Sequence, residues 1–266
     1  MGALASQSLH LEVETWPKPG LVSHVDNGSH DDMDAAMLHR SADVLLPYFT
    51  ALAQAGAEGE GMDRLRAIGV EAEVAMLAAT GGVNTHRGAI FGLGLLCAAA
   101  GAISVGRSEG GETLGAIVSR RWSRAIAKGP ASPHSHGAEA ARRFGATGAR
   151  GEAIAGFPGI YKLGAPALER GFQLGSGDPE AARVHALFAL IAGIADTNIL
   201  HRGGAEGLAF AQRRAKNFLL RGGVGAAGWR EEAARIHREF VQRRLSPGGA
   251  ADMLAMSLFV QGLDMQ

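Results

Sequence analysis

Five short stretches of the chain hold most of its chemistry-bearing side chains, and each is flanked by glycine or proline. The first runs from Trp16 to Asp34, WPKPGLVSHVDNGSHDDMD. Two prolines bracket Lys18 and Gly20 follows, a pattern that makes a stiff turn and not a helix. His24, Asp26, Asn27, His30, Asp31, Asp32 and Asp34 then fall within eleven positions. Oxygen ligands of this kind suit Mg²⁺, which one or two carboxylates hold together with substrate phosphates. A single aspartate here also reads as a helix cap. Three of them beside His30 favour a cation site, and the two readings are compatible.

The second stretch is Thr80 to Gly88, TGGVNTHRG. Gly81 and Gly82 let the backbone turn sharply, and the N–H groups of the next helix start would face an anion. Asn84 is a candidate cap, while His86 and Arg87 add donors suited to phosphate. The plain alternative is a helix–helix turn with a glycine stop and an asparagine cap. It is not a Walker loop, because the GxxxxGK[ST] spacing is missing. Upstream, Glu71 and Glu73 diverge by about 160° on a helix. Glu73 shares a side with the TGGVN turn, which makes it the geometric favourite for a general base, with a solvated surface glutamate the equal alternative.

His134, His136 and the segment GARGE (148–152) form the third group, where Arg150 and Glu152 read as an ion pair or a place of close backbone approach. In the fourth, Asp196, Thr197 and Asn198 precede His201, Arg202, Gly203, Gly204 and Glu206. Asp196 closes an apolar run, so it is either paired by Arg202 or a metal ligand, and both perturb its pKa. The fifth, LSPGGAADMLA (245–255), reads as helix capping. No GxSxG elbow or HExxH helix is present, and Cys97 sits in an apolar helix where a thiol packs.

The elements that position these stretches are helical. Leu38, Leu45, Phe49 and Leu52 follow three- and four-residue steps, with Pro47 expected to kink or break that helix. Leu65, Ile68, Ala72, Met76 and Ala79 share a face in the next. Further helices are expected over 88–106, 112–128, 136–144, 178–196, 205–220, 229–245 and 249–263. The chain is therefore expected to be all-α, one domain over 1–266, a bundle of roughly nine or ten helices with no significant sheet.

Composition bounds the function. Lys+Arg and Asp+Glu are 26 each, so the net charge is zero and no basic excess advertises nucleic acid or an anionic membrane. One cysteine excludes an intramolecular disulfide framework and fits a cytoplasmic protein. The run 88–106 is nearly long enough for a membrane span, but its Gly and Ala content and missing aromatic belt favour a central bundle helix. Glycine is abundant at 39 of 266 residues, which the polar stretches use as turns.

PKPGLV (17–22), NGSHDDMD (27–34), EAEVAMLAATGGVNTHRGAIFGLGLL (71–96), GARGEAIAGF (148–157), DTNILHRGG (196–204) and SPGGAADMLA (246–255) together resemble the triphosphoribosyl-dephospho-CoA synthase family. The likeness runs from about Glu12 to near the C-terminus, with TGGVNTHRGAIF its most specific part. Arg87 in NTHRG leans towards the malonate decarboxylase branch. Ser23 departs from the family's Asp after PKPGLV, with Asp26 close by. The resemblance implies a helical enzyme that makes the prosthetic-group precursor of citrate lyase or malonate decarboxylase. Its substrates are ATP and 3′-dephospho-CoA; the ribose 2′-hydroxyl attacks C1 of the ATP ribose and adenine leaves.

That reaction needs a neutralised triphosphate, a deprotonated hydroxyl, a stabilised oxocarbenium-like carbon and help for departing adenine. By chemical type, Mg²⁺ falls to Asp32 and Asp34, with Asp196 a third ligand. Lys18, His86, Arg87, Arg150 and Arg202 are phosphate donors beside the Gly81–Gly82 backbone, and His86 is also a catalytic candidate. Glu73 or Glu152 serves as base or oxocarbenium stabiliser; Asn84 or Asn198 reads adenine. The alternatives are a Mg²⁺-dependent N-glycosidase or ADP-ribosyl hydrolase, and a non-catalytic helical nucleotide-binding module. The sequence leaves the oligomeric state open, a homodimer included.

Overall fold

The structure, a computed structural model, describes residues 1–129 and 143–264; His134, His136 and most of the expected 136–144 helix lie outside these. The described residues form eleven α-helices and no strand. They are α1 (Gly2–Val13), α2 (Ala35–Glu58), α3 (Met62–Ala79), α4 (Arg87–Ser104), α5 (Leu114–Lys128) and α6 (Gly148–Ile154). A π-helical turn (Ile160–Gly164) leads into α7 (Ala165–Leu174), followed by α8 (Pro179–Gly193) and α9 (Thr197–Leu220). A 3₁₀ turn (Gly223–Gly225), α10 (Trp229–Gln242) and α11 (Gly248–Asp264) complete the chain. One hydrophobic core runs from Ala5 in α1 to Val260 in α11.

Eleven helices exceed the nine or ten expected, and α1 shows why. Its buried positions Gly2, Ala5, Ser6, Leu9, Glu12 and Val13 keep helical spacing, but Gly, Ser and Glu hide the apolar period. The short α6 and α7 were also absent from the sequence reading. Pro47 does not break α2. It lies on the exposed face, where the Asp43 carbonyl that it leaves without a donor meets solvent. In α9, Gly204 takes φ 62° and ψ −162°, so the helix expected from Ala205 is preceded by about two further turns starting at Thr197.

α4 is the axis of the bundle. It is long and apolar enough to cross a membrane, yet 72% of it is buried among the other helices. Its tight seam with α2 depends on absent side chains: a Cβ on Gly101 would run into the Ala53 carbonyl, and one on Gly56 into that of Ala98. Gly101→Ala therefore sets a helix-propensity gain of about 1 kcal/mol against overpacking of about 1–3 kcal/mol. Backbone cannot swing aside as a side chain can, so overpacking wins. A lower Tm is expected, and an unchanged or higher one would refute this account of the seam.

Candidate active site

The N-terminal part of α11 is where the polar stretches meet. Asp196 caps α9, its Oδ1 accepting from Asn198 N (2.8 Å) and Ile199 N (3.2 Å). Its Oδ2 accepts from Ala250 N at 2.9 Å, so one buried carboxyl ties the first turn of α9 to that of α11. Burial pushes its pKa up, against the pull of the backbone N–H groups. Gly248 and Gly249 make room for this contact, because Asn198 and Asp196 crowd the places where their Cβ atoms would stand.

Asp252, one turn further along α11, reaches the first turn of α4. It accepts a hydrogen bond from Ala89 N, and Oδ2 occupies the space that a Cβ on Gly88 would need. Burial, then the charges of Glu12 and Asp196, push its pKa well above the ordinary carboxylate range. The starts of three helices are thus laced together by two carboxyls, and helix starts carry the partial positive charge that attracts anions.

Around this centre lie the other stretches. His30 Nε2 is 2.8 Å from Ser246 Oγ, and Ser29 Oγ donates to Leu245 O at 2.7 Å. Arg202 donates to Ser29 O (3.0 Å) and Arg244 O (3.3 Å), and its Nη2 lies 3.3 Å from His30 Nδ1. Glu152 accepts from Gly159 N at 2.9 Å, and Gly159 in turn abuts Met253. The carboxyl of Glu152 is half-buried and its pKa is raised by that burial.

His86 stands at the N-cap of α4 and is 5% exposed. Thr85 Oγ1 donates to Ser41 Oγ at 2.7 Å, and Ser41 Oγ is 2.7 Å from His86 Nδ1. Ser41 thus links Thr85 to the Nδ1 side of the imidazole, leaving Nε2 as the ring's other polar atom. Nε2 is buried and has no hydrogen-bond partner among the described residues. Burial, then the Lys18 ammonium, lowers the imidazole pKa to about 3. Between pH 6.5 and 3 the unfolded chain takes up this proton and the folded chain does not. Stability is therefore complete above about pH 6.5 and falls as pH drops towards 3. The His86 ring signals in NMR should stay at their neutral positions from pH 7 to 4.

Several residues hold other posts than the sequence suggested. Lys18 is fully buried and donates to Glu12 Oε1 (2.7 Å) and Glu12 O (2.8 Å), so its ammonium anchors the end of α1. Arg150 donates to the Ile126 and Gly129 carbonyls at the end of α5, away from α11. Gly81 (φ 64°) and Gly82 (φ 92°) make an exposed stop after α3. Asn84 Oδ1 accepts from Arg87 N at 3.2 Å, the capping role. Glu73 does face this turn, where it pairs with Arg87 at 2.9 Å.

The proposed metal ligands are not brought together. Asp34 caps α2 through Met37 N (2.7 Å), Asp196 is occupied by three helix-start amides, and Asp32 is 61% exposed beside His30. Among the described residues no three His, Cys, Asp or Glu side chains form a group able to hold a metal ion. Asp32, Asp34 and Asp196 are not gathered into a shared Mg²⁺ site: both oxygens of Asp196 are engaged by backbone amides, Asp34 caps α2 through Oδ1, and Asp32 stands exposed beside His30.

Asp252 and Glu12 are the members that sequence reasoning passed over. The signal for Asp252 was a carboxyl inside the otherwise apolar run AADMLAMSLF; it was absorbed into the capping reading of SPGG. A cleft of about 580 Å³ lies elsewhere, at α10, lined by Phe218, Arg221, Trp229, Glu232 and Arg235. Arg235 there is already paired with Glu232 and Glu239, and none of the expected site residues lines it. Chemistry outweighs volume, so the helix-start junction is the candidate.

A family-wide sequence profile described as CitG, ATP:dephospho-CoA triphosphoribosyl transferase, matches residues 1–266. The "Probable 2-(5''-triphosphoribosyl)-3'-dephosphocoenzyme-A synthase" of Stutzerimonas stutzeri is 41% identical, with 98% of this chain and 90% of that protein covered. Proteins of the same name from Azotobacter vinelandii (41%, covering 98% and 90%) and Acinetobacter calcoaceticus (37%, covering 97% and 88%) are also similar. No solved structure matches the chain. With a full-length profile match and relatives at this identity, the chain belongs to the ATP:dephospho-CoA triphosphoribosyl transferase family.

Proposed function

We propose that this chain transfers the triphosphoribosyl group of ATP to the 2′-hydroxyl of 3′-dephospho-CoA, with release of adenine. The product serves as prosthetic-group precursor for the acyl carrier of a malonate decarboxylase or a citrate lyase, and Arg87 in NTHRG favours the first. The observation that carries this reading is the meeting of three helix starts over Asp196 and Asp252, with His86 Nε2 unpartnered in the α4 turn. Helix-start amides receive anionic groups, and carboxyls with raised pKa values handle protons near neutral pH.

Arg202 and Arg87 supply the cationic contacts to phosphate. The Arg87–Glu73 pair is part-exposed, and pairs of that kind contribute about 0–1 kcal/mol, so phosphate displaces Glu73 at small cost. Glu152, half-buried, stabilises positive charge at the ribose carbon, and Asn198 beside Gly248 reads the base. Mg²⁺ enters with ATP as part of the substrate, held chiefly by its phosphates. Water competes with the hydroxyl as nucleophile, so the occupied site has to exclude it.

Mass spectrometry of the products from ATP, Mg²⁺ and dephospho-CoA tests the proposal. A triphosphoribosyl adduct of dephospho-CoA, formed with stoichiometric adenine, is expected. Rapid adenine release from ATP alone would favour the hydrolase reading, and no turnover at all would favour a binding module.

A further inference from the structure

Resting on the transferase reading, we propose that Asp252 is the catalytic carboxylate that takes the proton from the attacking 2′-hydroxyl. Three acids lie near one another at the helix-start junction, and their exposures differ. Glu12 is buried against Lys18, and Asp196 is buried with three amide donors. Glu12 and Asp196 are buried residues, whereas Asp252 is part-exposed as a residue, its carboxyl packed against Gly88 at the start of α4, so of the three it lies nearest to where a substrate would approach.

Two further features of α4 mark the same place. Gly88 lacks the Cβ that would displace the Asp252 carboxyl from the helix start. One turn of backbone also carries His86, whose buried Nε2 has no partner among the described residues. A buried polar atom without a partner, on a residue 5% exposed, costs free energy unless something binds there, which points to a ligand at this helix start. The raised pKa of Asp252 agrees with a strongly basic carboxylate.

In the step itself, the dephospho-CoA oxygen forms a bond to C1 of the ATP ribose as the C1–N9 bond breaks. The electron pair of that bond leaves with adenine, which takes one proton from water. Asp252 receives the hydroxyl proton and returns it to solvent, so charge and protons balance without a further reactant.

Asp252→Asn keeps the shape and an acceptor for Ala89 N, which lets it separate chemistry from folding. It is expected to lower kcat by about 10²–10⁴-fold while the ATP dissociation constant, measured by calorimetry, stays within about threefold of wild type. Its Tm near neutral pH should equal or exceed that of wild type, since a carboxylate costly to bury is removed. Turnover within threefold of wild type would overturn the role, as would a loss explained by weaker ATP binding or a lower Tm. If the wild-type chain makes no triphosphoribosyl product, the transferase reading fails and the role of Asp252 fails with it. If wild type makes it and Asp252→Asn makes it equally fast, only the role of Asp252 falls.

Discussion

Lys18→Met is expected to lower the unfolding free energy by about 3–5 kcal/mol, or roughly 10 °C in Tm for a chain of this size. The Lys18 ammonium is fully buried, and burial lowers its pKa while the Glu12 carboxylate raises it. Methionine fills the space but leaves Glu12 buried beside no cation, which is the costly half of a buried ion pair. The double variant Glu12→Leu with Lys18→Met removes both charges and should recover most of the loss. Solvent-exposed pairs such as Arg66–Asp63 provide the contrast, since water screens them and their loss should be barely measurable. Urea unfolding of the single and double variants measures the difference. If Lys18→Met kept its stability and lost ATP affinity instead, Lys18 would be the phosphate donor that its place in PKPG suggested.

Lys18 also illustrates what the sequence could and could not disclose. Its flanking prolines announced a stiff turn, and that turn exists; whether its ammonium faces solvent or Glu12 depends on how α1 folds back. α1 was invisible because Ser6, Ser8 and Glu12 occupy inward positions that an apolar pattern needs. The long helices were legible wherever leucine and alanine recur at three and four residues, as in α2, α3 and α4. Glycine was read mainly as turn material, which holds at Gly81 and Gly204. At Gly56, Gly88 and Gly101 it serves close approach between elements far apart in the chain, and no local pattern encodes that distance.

The polar motifs converge in space, but the posts their side chains hold depend on partners far away in the chain. Each of the described polar stretches except the end of GARGE that carries Arg150 comes to the helix-start junction or to α4. An aspartate before a helix is a cap by local rules, and Asp34 and Asp196 obey them. What the local rules omit is the second oxygen: Asp196 spends it on Ala250, across 54 positions of sequence. Asp252 follows no local rule, since it caps no helix of its own and serves the start of α4 instead.

Gly88→Ala should therefore separate stability from activity. A Cβ there collides with the end of the Asp252 side chain and with no backbone, so the fold can yield by turning that carboxyl away. Alanine also favours the helix by up to about 1 kcal/mol over glycine, and the net change in Tm should be small. Moving a reacting group by about 1 Å costs on the order of 10²-fold in rate, so adenine release coupled to product should fall by about that factor. Gly81→Ala is the control of opposite sign: its positive φ strains alanine, yet no side chain lies within reach, so stability should suffer more than turnover. The double variant Gly88→Ala with Asp252→Asn decides the cause. If Gly88 acts only by giving Asp252 its place, adding the alanine to Asp252→Asn should leave the residual rate nearly unchanged. A further 10²-fold loss in that double variant would show that Gly88 admits the substrate itself, and would detach the glycine of NTHRG from the carboxyl that faces it.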